Sequence, residues 1–258
     1  MIEDFGWLNP HLSATAEWNG ERRVCVTASK TDWQKWRACD PTSVHWYDQA
    51  RFERYMAAHI SRDQDLGHDR TVREFIAEFR GLTGTAKQKA VLDSIGASRL
   101  SLSAFFGTGE EISRDRIGRL LAECKSQTRP VKPIDLGMIG EDHLLSCFLA
   151  NGVRKESFKY HKVLGVDNEV PYVIEAAFGW CPEGRDLRRI ITGVNWSVGI
   201  HNPFRSFGRF GLGLDSLLTE QRAGCWEPII FLLHYVCPRI EYRDRGKSTI
   251  VVPGSGLR

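Results

Sequence analysis

Towards its C-terminal end the 258-residue chain carries Arg243-Asp-Arg-Gly-Lys-Ser-Thr-Ile250, and the Gly-Lys-Ser-Thr inside it has the residue types of a phosphate-binding loop. A phosphate cradle needs a glycine at a fixed position upstream of the Gly-Lys pair and a helix directly behind, so that backbone N–H groups converge on the anion. Here the upstream position is Glu241, and only Val251 to Arg258 follow, with Pro253 and two glycines among them. The spacing argues against a P-loop. It leaves Lys247 as a cation in a solvated turn, unless the rest of the chain gives it a partner.

Other arrangements with chemical potential are weaker. The seven cysteines are scattered and never form C-x-x-C, which points to reduced structural thiols rather than a disulfide framework or a zinc site. Cys39 with His45 is the nearest approach to a metal-ligand pair. Two glycine clusters, Asp135-Leu-Gly-Met-Ile-Gly140 and Gly208-Arg-Phe-Gly-Leu-Gly213, lack the strand before and helix after that a dinucleotide fingerprint requires. No G-x-S-x-G elbow, H-E-x-x-H helix or D-x-D cluster is present, so motifs alone supply no complete catalytic site.

The elements that must position Lys247 follow from composition and periodicity. A hydrophobic content of 42% with 26% charged residues is that of an ordinary globular protein, long enough for one large domain or two small ones. A net charge of +3 identifies no partner by itself. There is no stretch that would span a bilayer and no basic-then-apolar leader, so the expected location is cytoplasmic, away from membranes. Ser13 to Thr27 reads as a hairpin turning at Asn19-Gly20. Trp33 to Tyr55 reads as an irregular aromatic stretch whose rings either stack on nucleic acid or pack a linker.

Thr71-x-x-Glu74 and Thr85-x-x-Gln88 are capping boxes that predict two helices broken at Gly81 to Gly84. Val72, Phe75, Ile76 and Phe79 form the apolar stripe of the first helix. Arg70, Arg73 and Arg80 fall on the opposite side, and Lys87 and Lys89 extend that charge into the second. Such a face is either solvated surface or a DNA contact. Another helix is predicted over Ser113 to Lys125, with Arg129 to Pro133 as a linker. Tyr172 to Trp180 alternates like a strand whose partner is Arg188 to Trp196, Leu212 to Gln221 suits a short helix, and Ile229 to Cys237 is a buried strand with His234 in its core.

Five segments in this order resemble the C-terminal two-thirds of the B subunit of DNA topoisomerase VI. They are Asn9-Pro-His11, Arg70 to Lys89, Ile139-Gly-Glu-Asp-His-Leu144, Pro171 to Trp180, and a strand followed by a basic loop with Gly246-Lys247. The resemblance implies an α+β fold: a helix–two-turn–helix module, then a transducer sheet domain of ribosomal-S5-like fold. Residues 1–30 would be the last strands of a GHKL ATPase domain, 31–69 an aromatic linker, 70–145 the helical module and 146–258 the transducer.

In that family a transducer lysine reaches the ATP γ-phosphate. Lys247 is expected to be that sensor, with Arg243 and Arg245 as helpers, and Arg70, Arg73, Arg80, Lys87 and Lys89 to contact DNA. The implied partners are double-stranded DNA, a GHKL ATPase domain in cis or in trans, and the DNA-cleaving A subunit of the family. Docking of the last is put in doubt because Val251 to Arg258 does not match the long helix that carries it in the family. The GHKL signatures are not found here, so ATP and magnesium are expected only through that other domain. Within a full assembly the activity would be that of an ATP-hydrolysing type II topoisomerase, while the chain alone is not expected to hydrolyse ATP. The alternative is a truncated scaffold or regulatory module that binds DNA or protein without ATPase activity.

Overall fold

Asn19 and Gly20 have φ of 51° and 77° and close a two-residue turn between β1 (Ala14–Trp18) and β2 (Glu21–Val26). This is the hairpin that an Asn-Gly pair favours, because primed turns match the twist of the strands. It follows a short helix, α1 (Ile2–Leu8). The computed structural model describes residues 2–107, 113–182, 187–199, 201–206 and 212–253, without the side chains at 23 and 24. Most of the Gly208–Gly213 cluster and the chain from 254 onward lie outside the described residues. Two compact units are present: Arg37–Val131 with Asn168–Val170, and the remainder.

The first of these is helical, with α2 (Gln49–Asp65), α3 (Val72–Ala77), α4 (Thr85–Ile95), α5 (Leu102–Phe106) and α6 (Arg114–Ser126). Residues 31–69, expected as a linker, thus contain the 17-residue α2, capped by the Asp48 carboxylate accepting from Arg51 N–H. Tyr47, Phe52 and Tyr55 pack edge-on or tilted against Phe75 and Phe79, with ring centroids 5.7–5.9 Å apart across these contacts. These rings fill the core of the unit and are not a stacking surface for bases.

At Thr71 the capping box forms as predicted: Thr71 Oγ1 accepts from Glu74 N–H, and the Glu74 carboxylate accepts from Thr71 N–H at 2.7 Å. The second box does not form. Gly84 is the N-cap of α4, and Gln88 is buried, donating instead to the carbonyls of Leu82 and Thr83. Thr71→Ala should therefore cost about 1 kcal/mol in chemical denaturation, whereas Thr85→Ala should cost under about 0.5 kcal/mol. Equal losses at the two sites would contradict this assignment.

In the second unit α7 (Glu141–Ala150) precedes a five-stranded mixed sheet. Its strands are β3 (Lys159–Asp167), β4 (Val170–Trp180), β5 (Arg189–Val194), β6 (Ser197–Val198) and, after α8 (Leu214–Glu220), β7 (Ile229–Val236). The order is β3-β4-β7-β5-β6. Strand β5 is not the partner of β4, as the sequence suggested: β7 lies between them, antiparallel to β4 and parallel to β5. The continuous apolar run of β7 suits this central place, with both faces covered.

After the buried Val170 and Pro171, the buried positions of β4 are Val173, Glu175, Ala177 and Gly179, while the larger Tyr172, Ile174, Phe178 and Trp180 are only half-buried. Small residues mark the covered face because helices press on it: a Cβ at Gly179 would meet Phe148 of α7 and Val153. Trp7, Leu8, Leu144, Phe148, Ile191 and Leu232 belong to the same core. The chain is an α+β protein.

Candidate functional site

The Gly-Lys-Ser-Thr string lies between two short antiparallel strands, β8 (Glu241–Tyr242) and β9 (Ile250–Val251). Asp244 organises the loop. Its carboxylate accepts from Thr249 N–H at 2.8 Å, from Ser248 N–H at 3.0 Å and from the Ser248 hydroxyl at 3.0 Å. Those bonds, led by the one from Ser248 N–H, hold the carboxyl below its ordinary pKa range. Loop amides that a P-loop would turn towards a phosphate are consumed by Asp244, and a strand follows where the P-loop needs a helix. The P-loop reading fails on both counts.

Lys247 stands in this loop with φ of 52°, its N–H donating to the Asp244 carbonyl at 3.1 Å. Its side chain is exposed, and among the described residues the ammonium makes no hydrogen bond or ion pair. Arg243 is exposed and donates to Ser206 Oγ at 2.6 Å, while Arg245 is exposed. The structure thus brings the three sensor candidates onto one braced loop, with Lys247 in a backbone conformation that few L-residues adopt.

The expected DNA-contacting residues separate into two kinds. Arg70 is turned inward, against the expectation of an outer face: it bonds Asp63 at 2.5 and 2.8 Å and also pairs with Glu78, leaving 14% of its side chain exposed. Its charge is already matched within the unit. Arg73 is half-buried, 3.4 Å from Gln88 Oε1, and Arg80 is exposed with its N–H on the Thr42 carbonyl. Lys87 and Lys89 are exposed on α4.

A polar network in the sheet unit had no counterpart in the sequence reading. Glu175 is wholly buried, and its carboxylate accepts from Ile139 N–H and Gly140 N–H at 2.9 Å each and from the Tyr160 hydroxyl at 2.8 Å. Trp196 N–H donates to His234 Nε2 at 3.1 Å, so the ring proton is on Nδ1, facing Glu175 at 3.4 Å. Burial drives the Glu175 pKa upward, but the bonds from His234 and the two amides outweigh it and hold the carboxyl below its ordinary range. The available signal was a carboxylate in phase with the buried positions of an alternating strand.

Beside this network a cleft of about 560 Å³ is lined by Pro10, Ser29, Trp33, Gly140, Glu141 and His143, among others. The His143 Nε2–H donates to the Gly6 carbonyl at 3.0 Å, which leaves Nδ1 to accept from the Ser29 hydroxyl at 2.5 Å. Burial lowers the His143 pKa and favours this neutral form. Serine and histidine touch as a nucleophile and base would, but the amides of Ile139 and Gly140 that could serve an oxyanion are bonded to Glu175. Their contact ties the segment before β1 and the one after β2 to α7.

Asn9-Pro-His11 has a comparable bracing role. Lys35 Nζ donates to Asn9 Oδ1 at 2.5 Å and lies over the rings of Trp33 and Trp196, while His11 stacks on Trp33. Among the described residues no group of three or more His, Cys, Asp or Glu could hold a metal ion, and no helix is long and apolar enough to cross a membrane.

No family model matches the chain, and no curated protein matches it. Among solved structures it is similar to the B subunit of the DNA gyrase from Myxococcus xanthus, at 9% identity and a TM-score of 0.24. The match covers 38% of this chain and 33% of the gyrase chain, so it spans about a third of that protein. At that TM-score the likeness is too slight to assign a fold.

Proposed function

We propose that the chain is the coupling, or transducer, portion of an ATP-dependent DNA topoisomerase resembling the B subunit of topoisomerase VI. It relays the nucleotide state of a GHKL ATPase domain, in cis or in trans, towards a DNA-cleaving partner. The five-segment resemblance supports this reading, and the observation that carries it is the Asp244-braced loop presenting Lys247 to solvent. A lysine is a compact cation on a long stem, suited to entering another domain's phosphate site as a point charge. Its ATP-dependent docking would bias one of two domain arrangements. ATP and magnesium are held by the GHKL domain in this proposal, and the chain itself contributes Lys247, with Arg243 and Arg245 beside it.

The test is ATP turnover by the GHKL domain together with this chain, compared between wild type and Lys247→Ala. Turnover that is indifferent to Lys247 would favour the second reading, a scaffold or regulatory module without ATPase coupling. In either reading Arg70 is spent on Asp63 and Glu78 and so is removed from the proposed DNA face.

For DNA the proposal now rests on Lys87 and Lys89, with Arg73 and Arg80 in support. Four phosphate contacts would give a log–log salt dependence with a slope of about −3.6 on duplex DNA, measured by fluorescence anisotropy. Lys87→Glu with Lys89→Glu should reduce that slope by about 2. Binding that is absent, or indifferent to salt, would remove DNA from the proposal.

A further inference from the structure

Strand β3 is the outer strand of the five-stranded sheet, and it is nine residues long. Natural sheets protect such edges with charge, proline or brevity. Between Lys162 and Asp167, however, β3 is apolar and exposed: Val163 is 38%, Leu164 42% and Val166 58% accessible. We propose that β3 is a self-association edge, at which two copies of this chain pair their β3 strands antiparallel about a two-fold axis through Val163. The proposal does not depend on the role given to Lys247.

The direction of the free backbone groups follows from the turn. Asn168 and Glu169 have φ of 47° and 64°, the geometry of a two-residue type I′ hairpin, which sets Asp167 opposite Val170 as a hydrogen-bonded pair. Gly165 then falls opposite Tyr172, in agreement with the clash that a Cβ at Gly165 would make with the Tyr172 ring. The N–H and C=O groups of Lys159, His161, Val163, Gly165 and Asp167 therefore face β4. Those of Tyr160, Lys162, Leu164 and Val166 face outward, away from the sheet.

An antiparallel copy centred on Val163 places Tyr160 opposite Val166 and Lys162 opposite Leu164, each a hydrogen-bonded pair of outward-facing residues. Val163 meets its own symmetry mate in a non-hydrogen-bonded pair, where side chains approach most closely. At both ends Lys159 comes opposite Asp167, an attractive pair made twice by the symmetry. A shift of two residues one way sets Lys162 against Lys162; a shift the other way leaves Lys159 opposite the turn. The register centred on Val163 covers the apolar stretch and sets Lys159 opposite Asp167 at both ends.

The test is sedimentation velocity on the full chain from about 1 to about 100 μM, the range in which weak dimers dissociate. The wild type should show a concentration-dependent dimer. Val163→Glu places two carboxylates together on the axis and should raise the dissociation constant at least tenfold, at a site exposed enough to leave the far-UV circular dichroism unchanged. As a second check, Lys159→Asp and Asp167→Lys should each weaken the dimer, and the double exchange should restore it. A wild-type chain that stays monomeric throughout overturns the proposal and leaves the edge to a strand of another protein. A dimer that ignores both Val163→Glu and the charge exchange overturns it equally, because association would then lie elsewhere.

Discussion

Glu175→Ala should destabilise the sheet unit by roughly 3–5 kcal/mol, the range found when one partner of a buried charged network is removed. The carboxylate is wholly buried and satisfies two backbone amides and the Tyr160 hydroxyl, with His234 facing it. Without it those donors remain in the core with no acceptor, each carrying its own desolvation cost. In urea the midpoint should fall by about 1 M or more, given slopes of a few kcal/mol per M. Glu175→Gln keeps the shape but sets an NH₂ group among donors, so it should fall between alanine and wild type. A loss below about 1 kcal/mol for the alanine variant would refute this account of the network.

The same group sets an acid limit. Its folded pKa lies below the unfolded one, so its contribution is complete above about pH 4.3, the ordinary glutamate value, and is lost as pH falls through the depressed folded value. Glu175→Gln should flatten that part of the stability profile while leaving neutral pH free of any slope from this site.

Lys247→Ala should lower ATP turnover by about 100-fold when the chain acts with a GHKL ATPase domain, the low end of what losing one preorganised charge-stabilising group costs. The loss should fall on turnover more than on nucleotide affinity, because the lysine arrives only when the domains close. Lys247→Arg should recover part of the rate, since the charge returns on a differently shaped head. Asp244→Ala should act in the same direction by releasing the Ser248 and Thr249 amides and loosening the loop. Lys247 variants themselves should leave the fold intact, the side chain being exposed.

Features encoded locally were legible in the sequence. Asn19-Gly20 specified its turn, Thr71 and Glu74 their cap, and the apolar run from Ile229 its buried strand. Nonlocal pairing was not legible. Helical periodicity placed Arg70 outward, but the deciding partner, Asp63, sits on α2, which a same-helix pattern does not include. The α2 signal was present, with Asp48 as cap and Phe52, Tyr55, Met56 and Ile60 at helical spacing, but the density of aromatics from Trp33 to Tyr55 suggested an irregular stretch. Thr85 has the residue type of a cap, yet Gln88 bonds the preceding carbonyls, which a spacing rule cannot anticipate.

The site itself was legible only in part. Gly-Lys-Ser-Thr drew attention to Lys247 for its likeness to a P-loop, and the loop proved to be organised by Asp244, three residues earlier. The Glu175 network joins residues from Ile139 to His234 and becomes visible only once the Ile139–Gly140 segment ahead of α7, β3, β4 and β7 are brought together.

Amine footprinting of Lys247 tests the coupling claim most directly. The chain, assembled with the GHKL ATPase domain, would be acetylated briefly with a non-hydrolysable ATP analogue or with ADP, and each lysine quantified by mass spectrometry, with Lys87 and Lys89 as exposed references. The account predicts that Lys247 is protected with the ATP analogue and reactive with ADP, while the references do not change. Equal reactivity of Lys247 in the two nucleotide states would contradict a sensor role and leave the exposed loop as surface alone.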